Sequence, residues 1–432
     1  MVPVFKEWFD RIGFALVVVG VFALGILQGQ YQIVIRVEVA TYLLAVAFAQ
    51  AVMASIGFTL FTLLSGAALV VKLALRGADD DVAPSGRVTA IVPVYQDADA
   101  LHRSVESLLE TRYADYAIRI VLEEDDTPSI LEAERLADRY DAVEYLVNTG
   151  YPGSKAGAIN YAAEQTDSEY VAVFDADEQV HSRFIGHAVA KLAAGADVVQ
   201  GRTVPQPTGM IESLAYAESV LLSYGARQVL YVLTGFRMAA SRAVVMHRET
   251  FESLGGYDEE MLTEDFAFAY TCYKERLDVR QTLRFCSRIE AAHTFMDWWG
   301  QRKRWMTGYA QVFHQQVRDV RPVTDYRNVL AVVFTGSTLW GSLFMFSLLS
   351  KFTLLALGGQ IFLLVAPLLA AVLVTVAVGI VDRRRGAIDT ISPLWLFVPV
   401  VLPLYSLAAL KALIEYLTSW DGEWYRVSKG LE

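Results

Sequence analysis

Five long stretches without a charged residue constrain the fold of this chain more than any other feature. They cover residues 12–35, 39–71, 328–350, 352–381 and 390–410. Each is long enough to cross the hydrocarbon core of a bilayer, which requires about 20 helical residues. Helices buried in a soluble domain carry a polar stripe, and these stretches have no charge on any face. The sequence therefore predicts five transmembrane helices, two before and three after a polar middle.

The charged residues around these stretches predict how the chain is oriented. Lys6 and Arg11 precede the first stretch, Lys72 and Arg76 follow the second, and residues 383–385, all arginine, follow the fourth. Cytoplasmic loops carry an excess of lysine and arginine, so this distribution places the N-terminus and the polar middle in the cytoplasm. We expect an integral protein of the plasma membrane whose polar domain is cytoplasmic.

The overall composition argues against nucleic acid as a partner. The formal net charge is −11 at pH 7 and the pI is about 5.2, whereas nucleic-acid binding requires a basic face. The two cysteines, Cys272 and Cys286, lack the spacing of metal ligands, and we expect them to be free structural thiols.

The polar middle alternates between strand and helix patterns. Runs rich in β-branched residues predict strands at 87–95, 116–126, 143–148 and 169–180, and apolar residues at helical spacing predict helices at 99–112, 129–140 and 155–166. This alternation builds a mostly parallel, Rossmann-like α/β sheet with its ligand site at the carboxyl ends of the strands.

Two carboxylates follow the last of these apolar strands. Asp175 and Asp177 are two residues apart, so on an extended backbone their side chains point to the same side. Hard oxygen ligands of this kind suit Mg²⁺ or Mn²⁺, which keeps several waters and bridges substrate phosphates. A solvated acidic loop is the alternative for the Asp-x-Asp pattern taken alone.

Two further polar motifs follow predicted strands. In the run EEDD at residues 123–126, Glu124 or Asp126 could accept hydrogen bonds from a base or ribose, and Asp126 or Thr127 could equally cap the next helix. Lys155 lies between glycines where a helix begins, a position at which backbone N–H groups and a cation could hold a phosphate.

The last two motifs lie closer to the second group of apolar stretches. Glu264 and Asp265 precede an apolar helix, where acids are also favoured by the helix dipole alone. The stretch WWGQRKRWMTG, residues 298–308, concentrates cations and indoles; Gln301 and Trp305 are four residues apart on one helical face, with Arg302 beside them. A belt of aromatic and basic residues at the membrane interface would explain Trp298 and Trp299. It would not explain why Gln301, Arg302 and Trp305 lie close together on the helix.

Taken in order, these motifs resemble the family 2 processive glycosyltransferases, the cellulose, chitin, hyaluronan and poly-N-acetylglucosamine synthases. The resemblance runs through IVPVY, GSKAGAIN, FDADE, GGYDEEMLTED and GQRKRWMTG to the closing apolar stretches. It implies a GT-A-type cytoplasmic domain at 87–290, inserted between transmembrane helices at 1–76 and 328–411. It also implies interfacial helices at 291–327 and a C-terminal tail at 412–432, which could lie on either side of the membrane.

The resemblance also implies a role for each donor-side residue. Val94 and Tyr95 would border the base of a UDP-sugar, Glu124 or Asp126 would bind base or ribose, and Lys155 would lie near the nucleotide. The run EEDDTPS stands where the family more usually has a DDGS-like run, so the sequence departs from the family pattern at the base and ribose contacts.

At the reacting end, the resemblance implies that Asp175 contacts the nucleoside, Asp177 ligates Mg²⁺ or Mn²⁺, and Asp265 is the general base with Glu264 beside it. Four residues would line the site, the arginines near the diphosphate and the indole against the acceptor sugar: Gln301, Arg302, Arg304 and Trp305. Residues 232–236, VLTGF, match the acceptor-side motif only loosely.

The function implied is inverting, metal-dependent transfer of a sugar from a UDP-sugar to the end of a growing β-linked polysaccharide, with export through the protein's own helices. Candidates for lining the export channel are Gln50, Ser55, Thr59, Thr62, Ser65, Thr335, Ser337, Thr338, Trp340 and Ser342. The alternative is transfer of a single sugar to a polyprenyl phosphate or another lipid, and the QRxRW element favours the polymer. A transporter is disfavoured, because inverted repeats and intramembrane charges are not evident.

Overall fold

The structure is a computed structural model and describes residues 11–20, 23, 37–75, 85–319 and 326–419. The helices, in chain order, are α1 Arg11–Gly20, α2 Val37–Ala74, α3 Ala98–Leu109, α4 Thr127–Arg139, α5 Lys155–Glu164, α6 Phe184–Ala193, α7 Met210–Glu218, α8 Arg227–Thr234, α9 Arg248–Ser253, α10 Glu264–Lys274, α11 Phe295–Arg318, α12 Tyr326–Leu357, α13 Ile361–Arg384 and α14 Val401–Ser419. A π-helix, Ser219–Ala226, joins α7 to α8, and a 3₁₀-helix, Pro393–Val400, leads into α14.

Seven strands form one mixed sheet. They are β1 Val88–Val94, β2 Tyr116–Leu122, β3 Val143–Val147, β4 Tyr170–Val173, β5 Val198–Pro205, β6 Val244–His247 and β7 Val279–Ile289, in the order β3-β2-β1-β4-β6-β5-β7. Strand β6 is antiparallel to both neighbours, and every other pairing is parallel. The predicted α/β fold is confirmed, with one reversed strand that the sequence reading did not anticipate.

Helices cover both faces of this sheet, which explains its continuous apolar strands. On one face α3 buries Leu101, Val105 and Leu108, three of the residues whose spacing predicts that helix. The opposite face is covered by α5 and α10, and the same core continues into α11 and α12. The sheet domain is therefore joined to the apolar helices by a shared core.

The apolar helices differ in number and boundaries from the prediction. Three helices are long and apolar enough to cross a membrane, Tyr42–Ala74, Ile361–Arg384 and Pro393–Ser419, and a fourth span exists if the bent pair Tyr326–Leu343 and Ser347–Leu357 counts as one. The count of five is not reached among the described residues. Of the predicted span at 12–35, the structure describes residues 12–20, in α1, and residue 23.

The structure changes one predicted helix boundary, at Lys351, and does not describe some of the residues used to predict orientation. The predicted break at Lys351 is wrong: α12 continues through it to Leu357, and the Lys351 Nζ donates to the Ser347 Oγ at 2.9 Å. Lys6 and Arg76, two of the residues used to predict orientation, lie outside the described residues. So do residues 420–432, which make up most of the predicted tail.

The predicted channel residues are largely satisfied within their own helices. Six of their hydroxyls donate to a main-chain carbonyl three or four residues earlier: Thr59, Ser65, Thr335, Ser337, Thr338 and Ser342. A hydroxyl bonded in this way needs no polar ligand beside the helix. These side chains fit helix packing at least as well as a polar passage.

A buried ion pair fastens the sheet to the helices. The Arg202 guanidinium on β5 donates to both carboxylate oxygens of Asp382 near the end of α13, at 2.6 and 2.7 Å, and the Tyr216 hydroxyl donates to the same carboxylate at 2.6 Å. All three residues are fully buried. This bidentate ion pair fixes α13 against β5.

Candidate active site

One cavity of about 930 Å³ opens at the carboxyl ends of β1 to β4 and extends to α7, the π-helix, α8 and α11. Twelve of the thirteen sequence-predicted site residues line it: Val94, Tyr95, Glu124, Lys155, Asp175, Asp177, Glu264, Asp265, Gln301, Arg302, Arg304 and Trp305. Residues separated by more than 200 positions in the chain therefore meet in one space, as the topology of a parallel sheet predicts.

Asp126 is the predicted residue that does not reach this cavity. It is 2% exposed, accepts the Ser129 N–H at 3.4 Å as the N-cap of α4, and accepts the Gln96 N–H from the loop after β1. Asp126 therefore acts as a helix cap. Its short acidic side chain accepts a hydrogen bond from a main-chain N–H group that has no partner within the helix. Glu124 lines the cavity and is the candidate left from the pair.

Lys155 is the first residue of α5, and its ammonium group contacts an acidic side chain of the protein. It forms an ion pair with the Asp175 carboxylate. Ser154 caps the helix by accepting the Gly157 N–H at 2.9 Å, and a Cβ on Gly157 would lie 2.1 Å from the Tyr151 carbonyl oxygen. The glycine is therefore required for the tight turn that delivers Lys155 to the acid.

The two aspartates face one cavity for a different reason from the one predicted. The strand β4 ends at Val173, and the Glu178 N–H donates to the Asp175 carbonyl at 3.0 Å, which closes a turn over residues 175–178. The extended geometry expected for Asp175 and Asp177 is therefore wrong. The turn, tied further by the Asp175 N–H donating to Glu178 at 3.2 Å, is what directs both side chains into the cavity.

The acids here fit a divalent cation that shares its ligands with substrate. Among the described residues, no group of three or more His, Cys, Asp or Glu side chains could hold a metal by itself. Asp177 is nearly buried and lines the cavity beside Asp175. Mg²⁺ and Mn²⁺ accept one or two carboxylates and complete their shell with water and phosphate oxygens, so this donor set is compatible with either ion.

The acids at the start of α10 have different surroundings. Glu264 is buried and its carboxylate accepts the Ser241 hydroxyl at 2.8 Å; burial, and then the charge of Asp265, raises its pKa. Asp265 is half-buried, lines the cavity, and accepts the Phe266 N–H at 2.8 Å. Acidic side chains are favoured in the first turn of a helix, where Asp265 lies.

The helix α11 approaches these acids closely. A Cβ on Gly308 would lie 2.5 Å from the side chain of Thr263, immediately before Glu264, so only glycine allows the two helices this contact. Arg304, one turn earlier, faces Glu264, Asp265 and then Asp175; burial lowers its pKa although these acids oppose the effect. The protein thereby holds a desolvated guanidinium beside these acids.

Arg302 lines the cavity, but its guanidinium is engaged elsewhere. It donates from Nε at 2.9 Å and from Nη2 at 2.7 Å to Glu218 at the end of α7, and both side chains are buried. Glu218 also accepts the Trp298 indole N–H at 3.2 Å. The guanidinium lies over the rings of Trp298 and Trp305, at 5.0 and 4.7 Å from their centroids. The expectation of a diphosphate ligand is not met by these contacts.

Sequence reading missed Arg242, whose guanidinium lies 3.6 Å from the Asp175 carboxylate. It immediately precedes Ala243 and β6. Because β6 runs antiparallel, its amino end lies at the edge where the parallel strands end, and a parallel pattern gives no signal for this. Also unanticipated in the cavity lining are Glu218, Ser219, Ser223, Arg227, Ser241 and Tyr309.

A mixed α/β sheet with an acid-lined cavity at the carboxyl ends of its parallel strands is the arrangement of GT-A-like glycosyltransferase domains. Residues 89–254 match the family described as Glycosyl transferase family 2. Residues 89–254 therefore form a family 2 glycosyltransferase domain, and the predicted resemblance is confirmed for this part of the chain.

Three comparisons illustrate the range of similar proteins. The beta-monoglucosyldiacylglycerol synthase of Trichormus variabilis is 28% identical over 188 residues, 43% of this chain and 40% of that protein. The probable glucomannan 4-beta-mannosyltransferase 7 of Oryza sativa subsp. japonica is 24% identical over 351 residues, 76% of this chain and 55% of that protein. A mannosyltransferase from Pyrobaculum calidifontis, solved with GDP-Man and Mn²⁺, has a TM-score of 0.52 at 19% identity, covering 85% of this chain and 99% of that one.

The similarities to known proteins cover only part of the relatives or only the fold. The alignment to the Trichormus synthase leaves more than half of that relative unmatched, and the solved structure, at its low identity, shows the fold alone. The relatives include both glycolipid and polysaccharide enzymes, so the comparisons do not single out the processive synthases that the motifs resemble.

Proposed function

We propose that the protein transfers a hexose from a nucleotide sugar to a lipid acceptor at the membrane, with inversion at the anomeric carbon. The observation that carries this proposal is the shared cavity of Asp177, Asp265 and Arg304 at the carboxyl ends of the parallel strands. One anion binder, one candidate base and one candidate metal ligand in a single space suffice for a direct displacement.

Asp265 is the proposed general base. An acceptor hydroxyl has a pKa far above neutrality, so a carboxylate must accept its proton as the new C–O bond forms. Glu264 is less suited to this role, because its carboxylate is already hydrogen-bonded to Ser241 and its pKa is raised, first by burial. We propose that Glu264 positions the α10 start while Asp265 takes the proton. A single displacement on an α-linked donor gives a β-linked product.

The departing diphosphate needs positive charge. We propose that Arg304 supplies it directly, since a guanidinium can meet two phosphate oxygens at once. Asp177, with Asp175 beside it, would hold Mg²⁺ or Mn²⁺, which compensates the charge of the diphosphate when bound. Lys155 and Arg242 keep Asp175 paired and oriented, through the ion pairs described above.

The nucleotide base is assigned to the end of the cavity at β1. Val94, the last residue of β1, and Tyr95 line the cavity there, and the Tyr95 hydroxyl donates to Asp125 at 3.1 Å. We propose that this end takes the base, with UDP as the first candidate. GDP is the second, because the similar Pyrobaculum enzyme binds GDP-Man.

A lipid acceptor is favoured over a polymer by two observations. The Trichormus relative is named for a glycolipid product, and six of the ten polar side chains predicted to line an export channel are hydrogen-bonded within their own helices. We propose that the chain is an integral protein of the plasma membrane with its catalytic domain in the cytoplasm. Polysaccharide synthesis is the second candidate, supported by Gln301 and Trp305 of the QRxRW element in the cavity lining.

The experiment is a donor panel with product sizing. The purified chain in detergent with mixed lipid is incubated with labelled UDP- and GDP-sugars, and released nucleotide and labelled product are measured. We expect nucleotide release with one donor and label in the organic phase on one lipid species. Label in a large water-soluble product would replace the lipid reading with polymer synthesis. No nucleotide release from any donor would refute the transferase proposal.

A further inference from the structure

The cavity has a second group of lining residues that the donor chemistry does not use. They come from β5, α7, the π-helix and α8, and include Thr203, Glu218, Ser223 and Arg227. The π-helix packs against α2 and α13, and α8 packs against α2. This group, here called the acceptor end, therefore lies on the side of the cavity that adjoins the membrane helices. A π-helix is a rare element that is frequently found at functional sites.

The charges at the acceptor end do not balance. Glu218 is engaged by Arg302 through two hydrogen bonds, so this pair is neutral. Arg227 is half-buried in the cavity lining and makes no ion pair with any acid among the residues that the structure describes. Glu218, Arg302 and Arg227 together leave one positive charge at this end.

The charge of Arg227 acts on Tyr309, a neighbouring residue of the cavity lining. Burial raises the pKa of the Tyr309 hydroxyl, and the next-largest influence is the positive charge of Arg227, which lowers it. Tyr309 lies on α11 one turn beyond Trp305 and also lines the cavity. Arg227 and Tyr309 thus share this part of the cavity. A partly desolvated cation of this kind favours an anionic ligand.

We propose that Arg227 binds an anionic group of the acceptor, and that the acceptor is a membrane lipid carrying a phosphate. This inference rests on the proposed function and specifies its acceptor. A guanidinium pairs with phosphate or carboxylate in a bidentate manner, so an acidic sugar is the other source of the same chemistry.

The helix that carries Arg227 favours the lipid as the source. Further along α8, Val232 and Leu233 are 76% and 75% exposed. At the start of the same helix, Gln228 accepts a hydrogen bond from Lys72, in the last turn of the membrane helix α2. A helix with exposed apolar side chains, joined to the end of a membrane helix, suits the headgroup region of a bilayer. Arg227 then lies where a lipid phosphate would enter.

Binding, measured without turnover, tests this site. The full chain in a maltoside micelle is titrated with farnesyl phosphate and with farnesol, following tryptophan fluorescence because Trp305 faces the same cavity. We expect the phosphate to bind at least tenfold more tightly than the alcohol. Arg227→Gln should lower the affinity for farnesyl phosphate by about tenfold to a hundredfold and leave that for farnesol unchanged.

Two variants and two further ligands separate the explanations. Arg237→Gln removes an equivalent charge from the same segment, where its guanidinium lies 3.7 Å from the Tyr231 ring centroid and does not line the cavity; it should leave both affinities unchanged. Arg227→Lys keeps the charge and should retain an intermediate phosphate preference. UDP and GDP should bind all variants equally.

Each contrary outcome has its own meaning. Loss of nucleotide affinity in Arg227→Gln, with the phosphate preference intact, would assign Arg227 to the donor and overturn the proposal. A preference for a glucuronate disaccharide over farnesyl phosphate would overturn the lipid source. An equal loss in Arg237→Gln would mean a general surface effect and also overturn it. If the phosphate preference depends on Arg227 but no donor is ever turned over, the anion site stands and the transferase proposal fails.

Discussion

The buried pair of Arg202 and Asp382 offers the sharpest test of how the catalytic domain is fixed to the membrane helices. Asp382→Asn removes the negative charge without changing the shape of the side chain. The guanidinium of Arg202 would then remain buried, where it now donates to both carboxylate oxygens at 2.6 and 2.7 Å. The amide oxygen can accept only one of these two hydrogen bonds, and the amide NH2 would face the other donor. The Tyr216 hydroxyl would also lose its charged acceptor.

The expected cost is large because both partners are inaccessible to water. The side chains of Arg202 and Asp382 are 2% and 0% exposed. Breaking a buried ion pair by removing one partner costs about 3 to 5 kcal/mol, since the surviving charge stays desolvated. For a domain of about 200 residues, that corresponds to a fall in Tm of roughly 6 °C or more. Replacing both partners by apolar residues leaves no isolated charge, so most of the loss should be recovered.

The assay is thermal unfolding of the full chain in one detergent at one scan rate, followed by tryptophan fluorescence. Asp389→Asn is the matched control, because Asp389 pairs with Arg288 at 3.0 and 3.1 Å but this pair is open to solvent, with Asp389 exposed and Arg288 half-buried. An exposed pair contributes about 0 to 1 kcal/mol, so Tm should hardly change. The double variant Arg202→Met/Asp382→Leu should melt above Asp382→Asn. Equal Tm values for Asp382→Asn and Asp389→Asn would refute the reasoning, as would a double variant less stable than the single one.

Three further predictions concern the site and its support. Asp265→Asn should bind nucleotide normally while nucleotide release falls by about a hundredfold or more, and full turnover would remove the proposed base. Gly308→Ala should lower both turnover and Tm, because its methyl group would meet Thr263 at 2.5 Å, whereas Gly341→Ala, with nothing within 4 Å, should change neither. Burial raises the pKa of Cys272 to about 12, so its thiolate is scarce at pH 7.5 and maleimide should label it only after unfolding; rapid labelling of the native protein would contradict that burial.

The sequence was a good guide to the fold wherever one periodicity governed a whole element. The apolar runs of β1 and β4 and the stripe on α3 predict elements that the structure contains. It failed where a single charge was taken as a boundary, as at Lys351, because a long side chain can reach Ser347 one turn earlier and leave the helix uninterrupted. It also gave no sign of the reversal of β6, since a four-residue apolar run reads the same in either direction.

For the site, position along the chain predicted which residues approach the cavity but not what each one contacts. Acids after strands arrive at one edge because the strands are parallel, and this holds for Asp175 and Asp177. The partners are decided by tertiary packing. Asp126 caps α4, the alternative that its place just before the helix already offered, whereas Arg302 meets Glu218, 84 positions away, and that contact has no signature at short range.

The contacts of three arginines at the cavity bear on the choice between a polymer and a lipid acceptor. If Arg302 and Arg304 both served the diphosphate, the QRxRW element would be devoted to the donor, and Glu218 would be left to balance the charge of Arg227 at the acceptor end. Instead, Glu218 holds Arg302 over the ring of Trp305, which leaves Arg304 beside the acids and Arg227 facing the membrane side. Sugar hydroxyls at the end of a neutral polymer have no need of a second guanidinium, whereas a lipid phosphate does. This division of the positive charge is the strongest physical reason to prefer a lipid acceptor, and it makes Arg227 the residue whose replacement separates the two functions.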